Sequence, residues 1–328
     1  MLLKGLDERT AAFYAPIQSQ LGQVEQKLRG LSRADTPYLE PLLDYVLANG
    51  GKRIRPAVTL LASEFYPHHP ENPIIMATAV ELLHVATLIH DDTVDNSDLR
   101  RGKATVGSLL GQHVAVLFGD YIFATSATFV CDTGNVRVIR RFSEAIMHLA
   151  SGELIEYFNA FSVEQARELY LERIYRKTAS LFCTSAETGA ILGGAPEPQV
   201  QALRTYGYNI GMAFQIVDDL LDVQGDVAEL GKPVGNDLVQ GVLTLPTIML
   251  MERYPDDNPI SGLFKDRSQD GKLKQALEMI NNSTIVDDCQ AVIGDYCKKA
   301  SRSLDILPDC LGHRSLLGLS DYIWERGH

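Results

Sequence analysis

Apolar residues along this chain recur at three- and four-residue spacing far more often than they alternate, the mark of amphipathic helices. The pattern predicts a helix over Tyr38–Leu47, closed by Gly50 and Gly51, and another over Ile54–Phe65, stopped by Pro67 and Pro70. Further helices are expected over Ile74–Asp95, Val106–Cys131, Val136–Phe161, Val163–Leu192, Pro198–Val223 and Thr244–Arg253, with a polar stretch at 96–103 between the first two of these. The last third of the chain is more polar, with turns near Asp256–Asn258 and Asn281–Ser283, and ends in amphipathic helices. The stretches around 80–90 and 114–130 are apolar on nearly every face, so both are expected inside the bundle. No low-complexity linker or fixed-period repeat breaks the pattern, which points to one all-α domain over 1–328.

Composition narrows the function classes. The 328 residues are 45% apolar, enough for a large core. Thirty Lys and Arg against 42 Asp and Glu give a net charge of −12, which suits a nucleic-acid backbone poorly, so no nucleic-acid partner is expected. The five cysteines are odd in number and form no C-x-x-C pair, as expected of reduced thiols in a cytoplasmic protein. Lys4, Asp7, Glu8 and Arg9 stand where a signal peptide needs an apolar run. The most apolar segment, His113–Val130, is interrupted by Gly119-Asp120 and is too short to span a membrane.

Two acidic clusters carry the chemistry. In HDDTVD, Asp91 and Asp95 fall four apart and so share a helical face about 6 Å apart along the axis, with Asp92 off that line. Such a pair repels itself unless a hard cation compensates it. A solvated acidic turn is the bland alternative, but the run Val80–His90 just before it is almost wholly apolar, so these acids emerge from a buried helix. The arrangement recurs at the end of a second apolar helix, with Asp218 and Asp222 four apart and Asp219 between them. Two facing sets of carboxylates would make an all-oxygen cage with open positions, which suits Mg²⁺ and a phosphate-bearing substrate; Zn²⁺ would call for His or Cys.

Cations supply the counterpart. Lys52 and Arg55 share a helical face behind a glycine pair, Arg100, Arg101 and Lys103 follow the first acidic cluster, and Lys177-Thr178 and Lys232 add isolated cations. Arginine forks and lysine ammonium groups are phosphate ligands. Arg100 and Arg101 have the alternative of neutralising Asp92, Asp95 and Asp98 on the surface. An apolar interior, two carboxylate clusters and scattered cations together point to a lipid-like diphosphate held through metal, its hydrocarbon tail buried between helices.

Taken together, GGKRIRP at 50–56, HDDTVDNSDLRRGKAT at 90–105, RKTASLF at 176–182, GMAFQIVDDLLD at 211–222 and GKPVGNDL at 231–238 resemble, in order and spacing, the trans-isoprenyl diphosphate synthases, or polyprenyl synthetases. The resemblance covers nearly the whole chain. It implies a bundle of long antiparallel helices around a deep apolar cavity, usually a homodimer, that condenses isopentenyl diphosphate onto an allylic diphosphate with Mg²⁺. By position, Asp91 and Asp95 would bind Mg²⁺ on the allylic diphosphate and Asp218 and Asp222 a further Mg²⁺. Arg100 would contact the allylic diphosphate, while Lys52, Arg55, His84 and Arg101 would take isopentenyl diphosphate. Lys177, Thr178, Gln215 and Lys232 would line the allylic site. His90 is read mainly as a helix-packing residue.

The chain departs from the family pattern in three places. Val242 stands where relatives often carry lysine, Glu156 where they commonly carry glutamine, and the end WERGH has no basic cluster. Five positions before Asp91 stands Ala86, where short-chain relatives often have an aromatic, flanked by the modest Val85 and Thr87. The floor under the growing product is thereby removed, and a hexa- to nonaprenyl product, grown from farnesyl or geranylgeranyl diphosphate, is expected. Tyr121, Phe123 or Phe129 would form a deeper stop, or are core aromatics. Three alternatives stay open: a geranylgeranyl or farnesyl diphosphate synthase, and one subunit of a heteromeric synthase. A terpene cyclase would normally lack the second D-D-x-x-D, which is intact here.

Overall fold

The computed structural model describes residues 12–31, 38–47, 51–164, 167–224, 234–266 and 270–327. After a 3₁₀ turn at Ala15–Ile17 come α1 (Gln18–Gly30), α2 (Leu39–Leu47), α3 (Ile54–Ser63) and α4 (Glu71–Val94). A small hairpin, β1 (Leu99–Arg100) and β2 (Lys103–Ala104), leads to α5 (Val106–Leu110), α6 (Gln112–Asp132), α7 (Val136–Asn159) and α8 (Arg167–Ile174). A π turn at Tyr175–Ala179 joins α8 to α9 (Ser180–Leu192), followed by α10 (Glu197–Gln224), α11 (Asn236–Val239) and α12 (Leu245–Arg253). The chain closes with α13 (Ile260–Lys265), α14 (Asp270–Asn281), α15 (Ile285–Ser303) and α16 (Leu311–Arg326). The fold is all-α, as the periodicity predicts.

Two compact units share the chain. The first holds the described residues of 1–143, 184–204 and 306–318, and the second those of 144–183, 205–305 and 319–327. In the first unit α4 is the central helix, its apolar positions buried on almost every side. It runs antiparallel to α6: His90 lies beside the Val116 carbonyl near one end, and Asn72 bonds the Thr133 carbonyl at the other. All of α3 except Arg55 is buried. In the second unit Tyr170, Tyr206 and Phe182 are fully buried. There the T-L-P segment starts α12 with a capping box between Thr244 and Thr247.

Three expectations need correction. The helix expected over Val106–Cys131 is broken at Gly111, whose φ of 88° no helical residue adopts, giving the short α5 and the long α6. The single helix expected over Val163–Leu192 is three pieces around the π turn. Finally, α6 is neither interior nor too short to cross a membrane, as expected above: α4 and α6 are both long and apolar enough by length and composition, but α4 is mostly buried whereas α6 leaves Val116 and Leu117 exposed.

Candidate active site

In the first unit the cationic residues gather around a cavity of about 360 Å³ lined by Tyr45, His84, Asp92, Arg100, Arg101 and Lys103, among others. The hairpin builds one wall. Arg101 and Gly102 both take positive φ, 51° and 74°, making a tight reversal that sets Arg100 opposite Lys103. Thr105 anchors its exit by accepting the Ser108 amide as N-cap of α5 and donating to the Ser97 carbonyl at 2.7 Å. Tyr45 donates to the Ala104 carbonyl at 2.7 Å. Gly51 explains part of the glycine pair: a side chain there would sit 3.2 Å from Arg101 Nη1, so the guanidinium lies across bare backbone.

Three basic residues at 52, 53 and 55 have three different fates. Arg53, with φ 52° just before α3, turns inward; its Nε bonds Glu25 Oε1 at 2.7 Å and its Nη1 bonds Glu81. All three of these side chains are largely buried, making a strut behind the cavity. Lys52 is exposed, with its carbonyl held by Tyr14 at 2.6 Å. Arg55 is half-buried and brings Nη1 to 3.3 Å from His84 Nε2, which must therefore offer a lone pair. Burial, followed by the charges of Arg55, Arg101, Arg100 and Arg53, holds the His84 imidazole well below its usual range, so it is neutral. The structure thus collects His84, Arg55, Arg100 and Arg101 in one place and reveals Arg53, Glu81 and Tyr45 as partners that sequence reasoning missed. Glu25 and Glu81 each lie 28 residues from Arg53, and no local pattern announces them.

The first acidic pair sits at the end of α4. Asp91 lies in the last turn and Asp95 is the C-cap, at the negative end of the helix dipole, which raises the cost of two carboxylates there. Asp95 is exposed and Asp91 half-buried. Asp92 turns to Arg100, whose Nε donates to its Oδ1 at 2.7 Å; burial raises the Asp92 carboxyl while Arg100 opposes that shift. Arg100 and Asp92 thus pair at the cavity wall. His90 Nε2 faces the Val116 carbonyl at 3.3 Å and Asp120 at 3.4 Å, in keeping with a packing role. Of the positions expected to set product length, Ala86 is buried, Thr87 donates to the His84 carbonyl at 2.8 Å, and Phe123 is half-buried.

In the second unit α10 carries Asp218, Asp219 and Asp222. Asp218 is 40% exposed and takes Arg326 Nη2 at 3.2 Å, with the same guanidinium lying over the Phe214 ring. Asp222 is buried, its Oδ2 accepting the Asp237 amide at 3.1 Å and its carbonyl the Gly235 amide at 2.7 Å. Asp219 points inward to Tyr170 Oη at 2.6 Å and Gln215 Nε2 at 2.8 Å, and Thr178 donates to Gln215 Oε1 at 2.5 Å. Burial pushes the Asp219 carboxyl up to about 6, against the pull of those hydrogen bonds and of Arg173. Lys177 projects from the π turn to Glu153 and Glu156. Gly152 lets that turn approach, since a side chain there would meet Lys177 N at 2.7 Å. Lys232 lies outside the described residues. Arg326, near the chain's end, was not foreseen as a partner of Asp218.

The donor chemistry fits a hard divalent cation: carboxylate oxygens, with no His or Cys beside them in either D-D-x-x-D run apart from the turned-away His90. Among the described residues no three His, Cys, Asp or Glu side chains converge on one metal position.

Comparison with known proteins agrees with this picture. Residues 36–280 match the family described as Polyprenyl synthetase. The chain is 37% identical to a prenyl transferase of Synechocystis sp., over 97% of this chain and 99% of that one. It also superposes on the heptaprenyl diphosphate synthase of Staphylococcus aureus with a TM-score of 0.91, at 36% identity, covering 95% of this chain and 98% of that one. A polyprenyl synthase from Caulobacter crescentus, complexed with calcium and isoprenyl diphosphate, superposes with a TM-score of 0.90 at 30% identity, covering 96% and 97% of the two chains. The chain belongs to the polyprenyl synthetase family and is a trans-prenyltransferase of the long-chain type.

Proposed function

We propose that this enzyme is a cytoplasmic, Mg²⁺-dependent homodimer that adds isopentenyl diphosphate head-to-tail to farnesyl or geranylgeranyl diphosphate and stops at a hexa- to nonaprenyl product. The observation that carries the reading is the cavity of the first unit, where cations and a neutral His84 line a space suited to a diphosphate. Lys52, Arg55, His84 and Arg101 would bind isopentenyl diphosphate there. Asp91 and Asp95 would hold Mg²⁺ on the allylic diphosphate and Asp218 and Asp222 a further Mg²⁺, while Arg100, Lys177, Thr178, Gln215 and Lys232 serve the allylic diphosphate. Bound Mg²⁺ supplies charge neutralisation for the departing diphosphate. Arg100 and Lys177 assist by charge, so the allylic C–O bond ionises, the isopentenyl double bond attacks the resulting cation, and loss of a proton to the released diphosphate or a group near it forms the new allylic double bond. No protein nucleophile is required. The buried apolar residues of α4, with the small Ala86 among them, would offer a tail little obstruction and keep water from the cation.

The metal reading is supported by the calcium and isoprenyl diphosphate held by the Caulobacter crescentus relative. The dimer is supported by apolar side chains left exposed on single helices: Val116 and Leu117 on α6, and Met147, Leu154, Tyr157 and Phe158 on α7. The five free cysteines suit a reducing compartment.

The test is a product assay on the purified chain alone with Mg²⁺, labelled isopentenyl diphosphate and either primer, sizing the extracted prenols. A ladder ending between six and nine isoprene units is expected, and Ala86→Phe should shorten it. A stop at geranylgeranyl would overturn the length reading. No incorporation until a second polypeptide is added would replace the homodimer with a heteromer.

A further inference from the structure

Lys177 does not stand open to an incoming anion, because two carboxylates already engage it. Its Nζ donates to Glu153 Oε2 at 2.9 Å and to Glu156 Oε1 at 2.6 Å, which engages two of the ammonium's three N–H groups. Glu156 serves a second cation: its Oε2 lies 3.6 Å from Nε of Arg173, a buried guanidinium whose Nη2 donates to the Leu243 carbonyl at 2.6 Å. Leu243 directly follows Val242. Two departures from the family pattern therefore meet at one place. A cation buried beside residues 242–243 requires a counter-charge, and the acid at 156 provides it. The same acid then reaches Lys177.

We propose that Glu156 is a specificity-determining residue of the allylic subsite: by clamping Lys177 and adding a negative charge, it weakens the chain's own hold on the primer diphosphate and makes that hold depend more steeply on Mg²⁺. The inference rests on the assignment of Lys177 to the allylic diphosphate made above. A diphosphate approaching Lys177 has to share the ammonium with two carboxylates and is repelled by both. Arg173, through Glu156, sets how strongly one of them is held.

The test is calorimetric binding of a non-ionising thiolo analogue of farnesyl diphosphate to the full chain across a Mg²⁺ series. Glu156→Gln keeps the shape and removes the charge; it should tighten binding about three- to tenfold, the worth of a partly exposed charge contact. It should also lower the Mg²⁺ concentration for half-maximal binding and leave isopentenyl diphosphate affinity unchanged. Because Glu156→Gln strips Arg173 of a counter-charge and could harm folding, Arg173→Met combined with Glu156→Gln removes both charges and should show the same tightening. Unchanged or weaker analogue binding in both variants, with Lys177→Gln still weakening it, overturns the role of Glu156 alone. If Lys177→Gln leaves analogue binding intact, the assignment of Lys177 falls and the inference falls with it.

Discussion

A buried ion-pair strut backs the candidate site of the first unit, whereas in the second unit the candidate residues Lys177 and Asp218 are themselves members of ion pairs. Arg53, Glu25 and Glu81 form a strut with side chains 15% exposed or less, and the cavity beyond it presents Arg101 and a His84 held neutral. In the second unit Lys177 is already engaged by Glu153 and Glu156, and Asp218 by Arg326, in pairs 22–40% exposed. The first arrangement is preorganised for an anion and needs little rearrangement to accept one. The second is a set of weak, accessible pairs that a metal and a diphosphate can re-sort. If the proposed assignments hold, the isopentenyl subsite would bind by itself and the allylic subsite would be completed by metal.

The largest effects should come from the carboxylates. Asp91→Ala or Asp218→Ala should each lower kcat about a thousandfold, by analogy with the loss of one strong transition-state charge partner. Folding should be little affected, because Asp91→Ala relieves like-charge repulsion and Asp218→Ala gives up only a partly exposed pair with Arg326. Single-turnover kinetics together with thermal unfolding would check both statements. Near-wild-type turnover in either variant would end the metal assignment.

Next comes the contrast in pair strength. Arg53→Ala strands two buried glutamates and should cost about 3–5 kcal/mol of stability, while Lys177→Gln should cost no more than about 1 kcal/mol. Urea unfolding of both variants measures the gap, and equal losses would erase the distinction between strut and working pair. Within the first unit, Arg101→Gln should raise KM for isopentenyl diphosphate about tenfold, as expected for one charge-assisted contact of about 1.4 kcal/mol, with kcat little changed. A change in the primer's KM instead would move Arg101 to the other subsite.

Much of this was legible from local pattern. Helix α4 is legible as a long apolar run and α10 from its periodicity, and the two D-D-x-x-D runs stand at their C-terminal ends where spacing alone puts them. What escaped was nonlocal or sterically local. Lys52, Arg53 and Arg55 are alike as letters; only a left-handed backbone at Arg53 and glutamates on two other helices separate the strut from the ligands. The π turn at 175–179 continues the same apolar rhythm as the helices around it, so periodicity is blind to it. Arg326 reaches Asp218 across 108 residues of sequence, a pairing that only tertiary structure can bring about. An apolar helix such as α6 reads as interior because hydropathy cannot tell a core helix from one that leaves apolar side chains exposed.

The smallest effect concerns pH. Burial first, and then the four arginines, hold the folded-state pKa of His84 below the ordinary value of about 6.5 that it takes in the unfolded chain. The unfolded state therefore binds a proton more readily than the folded one. Stability is complete above the unfolded value and is lost as pH falls from there toward the folded value. Between pH 7 and pH 5 the Tm of the ligand-free protein should drop more in the wild type than in His84→Gln, which has no proton to gain. A bound diphosphate should narrow the difference, because an anion in the cavity offsets the arginine charges that keep the imidazole neutral. Equal pH slopes in the two proteins would mean that His84 is not held neutral by this cavity, and the first unit would lose its claim to a preorganised anion site.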